Sequence, residues 1–120
     1  NLEIPLNRNR GPIAQAEAKR KTAEARFLAL QSTIQGEIDI ALASYQASRA
    51  KATTAAQLAQ EAASSSATTR RMVEAGQVSA LELTRRQIEA STANVALLGA
   101  QIEAQTAAGA LEDAMQASLH

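Results

Sequence analysis

The sequence predicts an all-α protein: a long antiparallel α-helical hairpin of the coiled-coil type, preceded by a short N-terminal extended segment. About a quarter of the 120 residues are alanine, the strongest helix former, and only Phe27 and Tyr45 are aromatic. Such a composition provides a long seam of small contacts rather than a thick core. Proline occurs only at Pro5 and Pro12, so no proline interrupts a helix after residue 12. The remaining sequence contains one strong turn signal, at residues 73–83.

That turn signal has the chemistry of a helix end followed by a helix start. Gly76 can adopt the left-handed backbone conformation that ends a helix. The hydroxyl of Ser79 can accept a hydrogen bond from a free N–H group in the first turn of a second helix. Glu82 lies three residues later, which completes the spacing of a capping box. We therefore expect the chain to reverse direction once, with the tip near residues 74–80.

The first twelve residues differ in pattern from the rest. Leu2, Ile4 and Leu6 alternate with other residues, as in a β-strand, and residues 7–12 have the composition of a turn. Pro12 suits the first turn of a helix, where its missing N–H group costs nothing. The sequence thus divides into an extended segment at 1–12 and a helical hairpin at 13–120.

Large apolar residues recur at helical spacing in both predicted helices. The first helix should run to about residue 75 and continue through the stretch 64–69, which is rich in serine and threonine but has no glycine or proline. In the second helix, from about 79 to 118, a repeat of seven predicts a weak, partly polar coiled-coil seam. The first stripe is Phe27, Leu30, Ile34, Ile38, Leu42 and Tyr45, thinning to Ala52, Ala55, Ala56, Leu58, Ala59, Ala62 and Ala63, and the second is Leu81, Ile88, Val95, Leu98 and Ile102.

A reversal near Gly76 also fixes the register between the helices. The numbers of neighbouring residues should sum to about 154, which repeatedly places a large residue opposite a small one. The first helix is the longer of the two, so residues 13–27 should have no partner within this chain. The expected neighbours are Tyr45 with Gly109, Ala52 with Ile102, Leu58 with Ala96, and Ile38 with Met115.

Composition argues against several classes of function. The formal net charge is zero, whereas a nucleic-acid-binding domain needs a basic surplus. There is no cysteine, and the only histidine is His120, so we expect no thiol nucleophile, metal site or cofactor site. Scattered carboxylates and the lack of a glycine-rich phosphate loop give no indication of an enzyme. No apolar run approaches the length of a membrane-spanning helix.

The tip is the candidate functional site, and two interpretations of it are open. In the first, it is only a well-capped turn, in which Glu82 completes the capping box and the arginines bind the last carbonyl groups of the first helix. In the second, it is a surface on which the helical tip of another protein docks. The candidate partner-binding residues are Arg70, Arg71, Val73, Gly76, Gln77, Val78, Ser79, Leu81 and Glu82.

Two motifs resemble the second structural repeat of the TolC-like outer membrane efflux proteins, including their heavy-metal and multidrug branches. One is the segment Asn7-Arg8-Asn9-Arg10-Gly11 after a proline–leucine strand end, and the other is the tip pattern of Gly76, Ser79, Leu81 and Glu82. The resemblance extends over nearly the whole chain but covers only part of such a protein.

The resemblance implies a trimeric channel in a Gram-negative outer membrane, with a helical tunnel through the periplasm. Residues 2–6 would then end a barrel strand, the hairpin would form tunnel wall, and its tip would meet the hairpin of a periplasmic adaptor of a tripartite pump. Glu82, Arg70 and Arg71 would be the polar contacts that hold or release a closed tip. The exported cargo would be small molecules or metal ions.

Three other interpretations share the helical hairpin. A periplasmic adaptor hairpin should be flanked by lipoyl-like β halves rather than preceded by the motif at residues 7–11. A generic structural coiled coil should have fuller apolar heptads, and an interfacial lipid-binding helix pair should have bulkier apolar faces with a basic polar face.

Overall fold

The computed structural model describes residues 3–119, with side chains from residue 11 onward. It contains two helices, α1 (Glu3–Glu74) and α2 (Ala80–Ser118), which pack against each other over the length of α2. The molecule is a rod of 112 × 17 × 13 Å. The predicted all-α hairpin is therefore confirmed, with the reversal at the expected place. Within the described residues, neither helix has a segment apolar and long enough to span a bilayer.

The predicted extended segment is wrong for the described residues, because α1 already begins at Glu3. Pro12 accordingly lies inside the helix and not in its first turn. In the helix interior its missing N–H group removes one backbone hydrogen bond. A strand is stabilised by pairing with another strand, and residues 3–119 include none. With no strand to pair with, the beginning of α1 satisfies its backbone groups through the local hydrogen bonds of a helix. Asn1 and Leu2 lie outside the described residues.

The stretch 64–69 is helical throughout, as predicted. The hydroxyl of Thr69 donates to the carbonyl oxygen of Ser65 at 2.9 Å, which is the usual way that a threonine is accommodated within a helix. Thr69 is 7% exposed, so this bond also satisfies a buried hydroxyl group.

The face of α1 that contacts α2 follows a strict alternation of three- and four-residue steps from residue 34 to residue 73. That alternation is the packing pattern of a coiled coil. Most of the side chains on this face are small, and no large side chain among the described residues is fully buried. Stability therefore comes from many small contacts along a long seam. The buried and half-buried residues of the α1 seam are Ile34, Ile38, Ala41, Tyr45, Ser48, Ala52, Ala55, Ala59, Ala62, Ser66, Thr69 and Val73.

The face of α2 that contacts α1 is not the one predicted. The side chains of Leu81, Ile88, Val95 and Ile102 are between 61% and 69% exposed, and they point away from α1. A second heptad pattern on α2, rich in alanine, lies against the alanine-rich face of α1, because small side chains let the two backbones approach closely. The α2 seam comprises Leu83, Arg86, Ala90, Ala93, Leu97, Ala100, Ala104, Ala107, Leu111 and Ala114.

The predicted register is confirmed by an ion pair between the helices. The ammonium nitrogen of Lys51 lies 3.0 Å from a carboxylate oxygen of Glu103, and the sum of these residue numbers is 154. Of the expected neighbours, however, four lie outside the seam because they are exposed: Leu58, Ala96, Ile102 and Met115. The register was correct, whereas the choice of residues within it was partly wrong.

The first helix extends well beyond the end of the second. Every side chain from residue 11 to residue 33 is exposed, including Ile13 and Phe27 at 59% and 60%. The prediction that residues 13–27 have no partner within this chain is therefore confirmed.

Candidate functional site

The tip begins with a Schellman motif, which ends α1 through backbone groups alone. Gly76 has a φ of +73°, the left-handed conformation that glycine adopts without steric cost. The N–H of Gln77 donates to the carbonyl of Met72 at 2.8 Å, and the N–H of Gly76 donates to the carbonyl of Val73 at 3.0 Å. These two bonds are the 6→1 and 5→2 pair that defines the motif. The prediction that Gly76 ends the first helix is confirmed.

The start of α2 has the expected backbone but not the expected side-chain chemistry. Ser79 occupies the N-cap position in an extended conformation, with φ −79° and ψ 158°, yet its hydroxyl makes no capping hydrogen bond. The N–H of Glu82 instead donates to the backbone carbonyl of Ser79 at 3.1 Å. The predicted capping box is therefore wrong, because the Glu82 carboxylate is engaged one turn further along the helix.

The Glu82 carboxylate pairs with Arg86, which bridges two glutamates on the surface of α2. Its Nε lies 3.3 Å from an oxygen of Glu82, and its Nη1 lies 3.2 Å from an oxygen of Glu89. Arg86 is also a member of the α2 seam, so its guanidinium group projects from the interface between the helices. Each such exposed pair contributes a few tenths of a kcal/mol, about 0.3–0.5, to the first turns of the helix.

An open groove lies between the two helices just behind the turn. Its walls include apolar, hydroxyl and charged groups. The groove is open to solvent and does not form an enclosed pocket. The groove is lined by Thr69, Met72, Val78, Ser79, Glu82 and Arg86.

The predicted tip residues separate into two groups. Val73, Val78 and Glu82 are half-buried between the helices, whereas Gly76, Gln77 and Ser79 are exposed at the turn. Leu81 is 63% exposed on the side of α2 that faces away from α1.

The two predicted arginines, Arg70 and Arg71, do not bind the last carbonyl groups of α1. Both are exposed, and among residues 11–119 neither forms an ion pair. Backbone N–H groups already occupy the last carbonyls of α1, including that of Arg71, which accepts from Ala75 at 3.0 Å. The interpretation in which the arginines cap the helix is therefore wrong, and Glu82 pairs with Arg86 rather than with either of them.

Sequence reasoning missed three residues of the groove: Thr69, Met72 and Arg86. The signals for them were present. Arg86 follows Glu82 at the i,i+4 spacing that favours an ion pair on a helix, and Thr69, Met72 and Val73 share the face of α1 that leads to the turn.

A second surface feature lies along α2, on its far side from α1. We call it the outer stripe; its members are between 59% and 69% exposed and are spaced at the three-, four- and seven-residue intervals of a coiled coil. The outer stripe consists of Leu81, Ile88, Val95, Leu98 and Ile102.

Comparison of the chain with protein-family models, with curated proteins and with solved structures gave no match.

Proposed function

We propose that this chain is part of an outer membrane efflux channel of the TolC-like type, in which the hairpin forms wall of a periplasmic tunnel. In this proposal the tip docks the hairpin of a periplasmic adaptor in a tripartite pump, the channel is a trimer, and the cargo is a small molecule or a metal ion. The proposal combines the resemblance of the motifs at residues 7–11 and 76–82 with the exposed surfaces of the hairpin.

The observation that carries the proposal is that α2 has two apolar faces. One is the seam with α1, and the other is the outer stripe, which extends from Leu81 to Ile102. At 3.5 residues per turn, the centres of these faces are separated by about 155° around the helix axis. A helix in the wall of a closed tunnel contacts one neighbour on each side, at an angle somewhat below 180°. The outer stripe supplies the second of these contacts.

The tip supports docking through its shape. The Schellman motif fixes the backbone at Gly76, while the side chains of Arg70, Arg71 and Gln77 project into solvent. A turn that is held rigidly by its own backbone loses little conformational entropy when a partner binds. The exposed arginines and the open groove behind the turn then offer charge and shape to the partner.

The test is site-specific crosslinking in cells that carry the whole channel and its pump. The chain has no cysteine, so a Gln77→Cys substitution places one defined thiol at the tip. Gln57→Cys is the matched control, because Gln57 is also exposed but lies on α1, far from the turn. We expect crosslinks to the adaptor from residue 77 and not from residue 57.

Three outcomes would refute the proposal. Crosslinks to a bilayer component, or to the adaptor from residue 57 alone, would remove the assignment of the tip as the docking site. Flanking lipoyl-like β sequence in the complete gene would make the chain an adaptor hairpin instead.

A further inference from the structure

The outer stripe of α2 has a counterpart on α1, on the side of α1 that faces away from the seam. We call this counterpart the back face; its residues are exposed, uncharged and spaced at alternating three- and four-residue steps. It contains no large apolar side chain, whereas the outer stripe consists of five, so the two surfaces are complementary in the sense of knobs-into-holes packing. The back face comprises Ala43, Gln46, Ala50, Thr53, Gln57, Gln60, Ser64 and Ala67.

Both surfaces are turned to the same side of the hairpin. Lys51 and Glu103 pair at 3.0 Å on one side of the seam. At 3.5 residues per turn, the outer stripe and the back face are each centred about 155° from the seam, and both are turned away from that ion pair. When hairpins lie side by side, with the outer stripe of one on the back face of the next, the row therefore curves in one direction. The wall of a tunnel requires such a curve.

Packing and charge select the register of this contact. With the tips at the same end, α2 of one hairpin runs antiparallel to α1 of the next. Two registers keep both repeats of seven in contact and the tips level to within about 3 Å, with residue numbers summing to 148 or to 155. The sum of 155 sets Leu81 against Glu74, which desolvates a carboxylate beside an apolar side chain. The sum of 148 sets Leu81 against Ala67, and it is therefore the favoured register.

The favoured register also pairs two charges that have no partner within the chain. Arg85 and Glu61 are exposed, and among residues 11–119 neither forms an ion pair. Each is the one charged residue on the border of its surface, and at a sum of 148 these two borders lie against each other. Arg85 then meets the opposite charge of Glu61 across the contact. The borders comprise residues 85, 92, 99 and 106 of α2 and residues 47, 54, 61 and 68 of α1.

We propose that the outer stripe binds the back face of α1 from a second copy of this chain, with the tips of both copies at the same end and Arg85 beside the partner's Glu61. This contact is the one that the proposed function assigns to a neighbouring helix of the tunnel wall, and the proposal rests on that function. Each copy uses a different surface for each neighbour, so the contact repeats from copy to copy and closes into a ring where the rotation allows it.

The first test is the mass of the chain in solution, measured by light scattering up to about 1 mM. We expect association, and Ile88→Gln/Val95→Gln should weaken it more than about tenfold because two large side chains are lost from the stripe. The matched control is Leu28→Gln/Leu58→Gln, which alters two side chains of α1 that are 62% and 55% exposed and lie outside both surfaces. This control should associate like the parent. A monomeric parent, or equal losses in the two double variants, would overturn the proposal.

The second test exchanges the charges at the border. Arg85→Glu sets two carboxylates across the contact and should weaken association about threefold or more, and Glu61→Arg should do the same with two cations. A chain with both changes has opposite charges at every contact again, so its dissociation constant should return to within about twofold of the parent. Losses that simply add in the double variant would show that these residues do not face each other, which contradicts the proposed register.

The third test determines by disulfide formation which surfaces meet. The chain has no cysteine, and positions 50 and 98 lie on opposite outer sides of the hairpin, so Ala50→Cys/Leu98→Cys does not close a disulfide within one copy. Oxidation should link these copies into multimers or closed rings. Leu98→Cys alone should stay unlinked, because the stripe does not meet itself. Gln57→Cys/Leu98→Cys should link far less, because position 57 lies two turns away from the expected neighbour of position 98.

Two results of the third test would overturn the proposal: efficient linking of Leu98→Cys alone, or stronger linking of the 57/98 pair than of the 50/98 pair. Neither result bears on crosslinks between residue 77 and an adaptor in cells. Failure of this contact and failure of the proposed function are therefore distinguishable.

Discussion

The backbone N–H of Gln77 donates to the carbonyl oxygen of Met72 at 2.8 Å, and this bond closes the last turn of α1 across Gly76. The bond forms only when the intervening residue is in the left-handed conformation, which Gly76 adopts with a φ of +73°. A Cβ atom placed on Gly76 would meet no other atom within 4 Å. The requirement for glycine is therefore conformational and not steric.

Gly76→Ala should lower the free energy of unfolding by about 1–2 kcal/mol, the cost of holding an L-residue in the left-handed conformation. The matched control is Gly99→Ala, in the middle of α2, where an added Cβ also meets nothing within 4 Å. That change should raise stability by about 0.5–1 kcal/mol, because alanine is the better helix former. Thermal unfolding followed by circular dichroism measures both. Equal effects at the two positions would contradict the role of Gly76 in the turn.

The ion pair between Lys51 and Glu103 should contribute little energy even though it marks the register. Its side chains are 63% and 55% exposed, so solvent screens their attraction, and Lys51→Ala should cost less than about 1 kcal/mol. Lys51→Glu should cost more than Lys51→Ala, because it sets two carboxylates side by side. Exchanging the charges, with Lys51→Glu and Glu103→Lys together, should recover most of the loss. A double-mutant cycle in thermal unfolding measures this coupling, and no recovery would mean that the two side chains do not face each other in solution.

The register was predictable because a single turn signal fixes it. Once the chain reverses at Gly76, antiparallel packing determines which residues of the two helices are neighbours. Lys51 lies beside Glu103 as that geometry requires. The face of α2 in the seam was not predictable in the same way. Leu83 and Leu97 belong to one repeat of seven, Leu81 and Ile88 belong to another, and periodicity alone does not rank them. The prediction chose the second repeat because its side chains are large. The first repeat forms the seam, because its alanines let the two backbones approach.

The alanine seam should therefore be sensitive to side-chain volume. Ala100 is 3% exposed, so Ala100→Leu forces three further carbon atoms into the interface and should cost about 1–3 kcal/mol. Ala96 lies one turn earlier and is exposed, and Ala96→Leu should change stability by less than about 0.5 kcal/mol. Chemical denaturation of both variants measures the difference. If Ala96→Leu lowered the stability more than Ala100→Leu, α1 would pack against a face of α2 other than the one described.

Candidate tip residues could be located from sequence but their contacts could not. The spacing of Ser79 and Glu82 matches a capping box, yet the carboxylate of Glu82 pairs with Arg86 instead. A spacing motif states which bonds are within reach, while competing partners decide which bond forms. The arginine four residues further on is such a competitor, and its fixed charge makes it the stronger partner for the carboxylate.

The last prediction concerns Ser79, whose hydroxyl makes no capping bond. Removing a working serine cap costs about 1 kcal/mol, so Ser79→Ala should cost clearly less than that, within about 0.5 kcal/mol. Ser79→Asp is the informative companion, because a carboxylate at the start of α2 interacts favourably with the helix dipole and should stabilise the hairpin by about 0.3–1 kcal/mol. Thermal unfolding of the two variants beside the parent chain decides the matter. If Ser79→Ala costs 1 kcal/mol or about that amount, the hydroxyl caps the helix in solution.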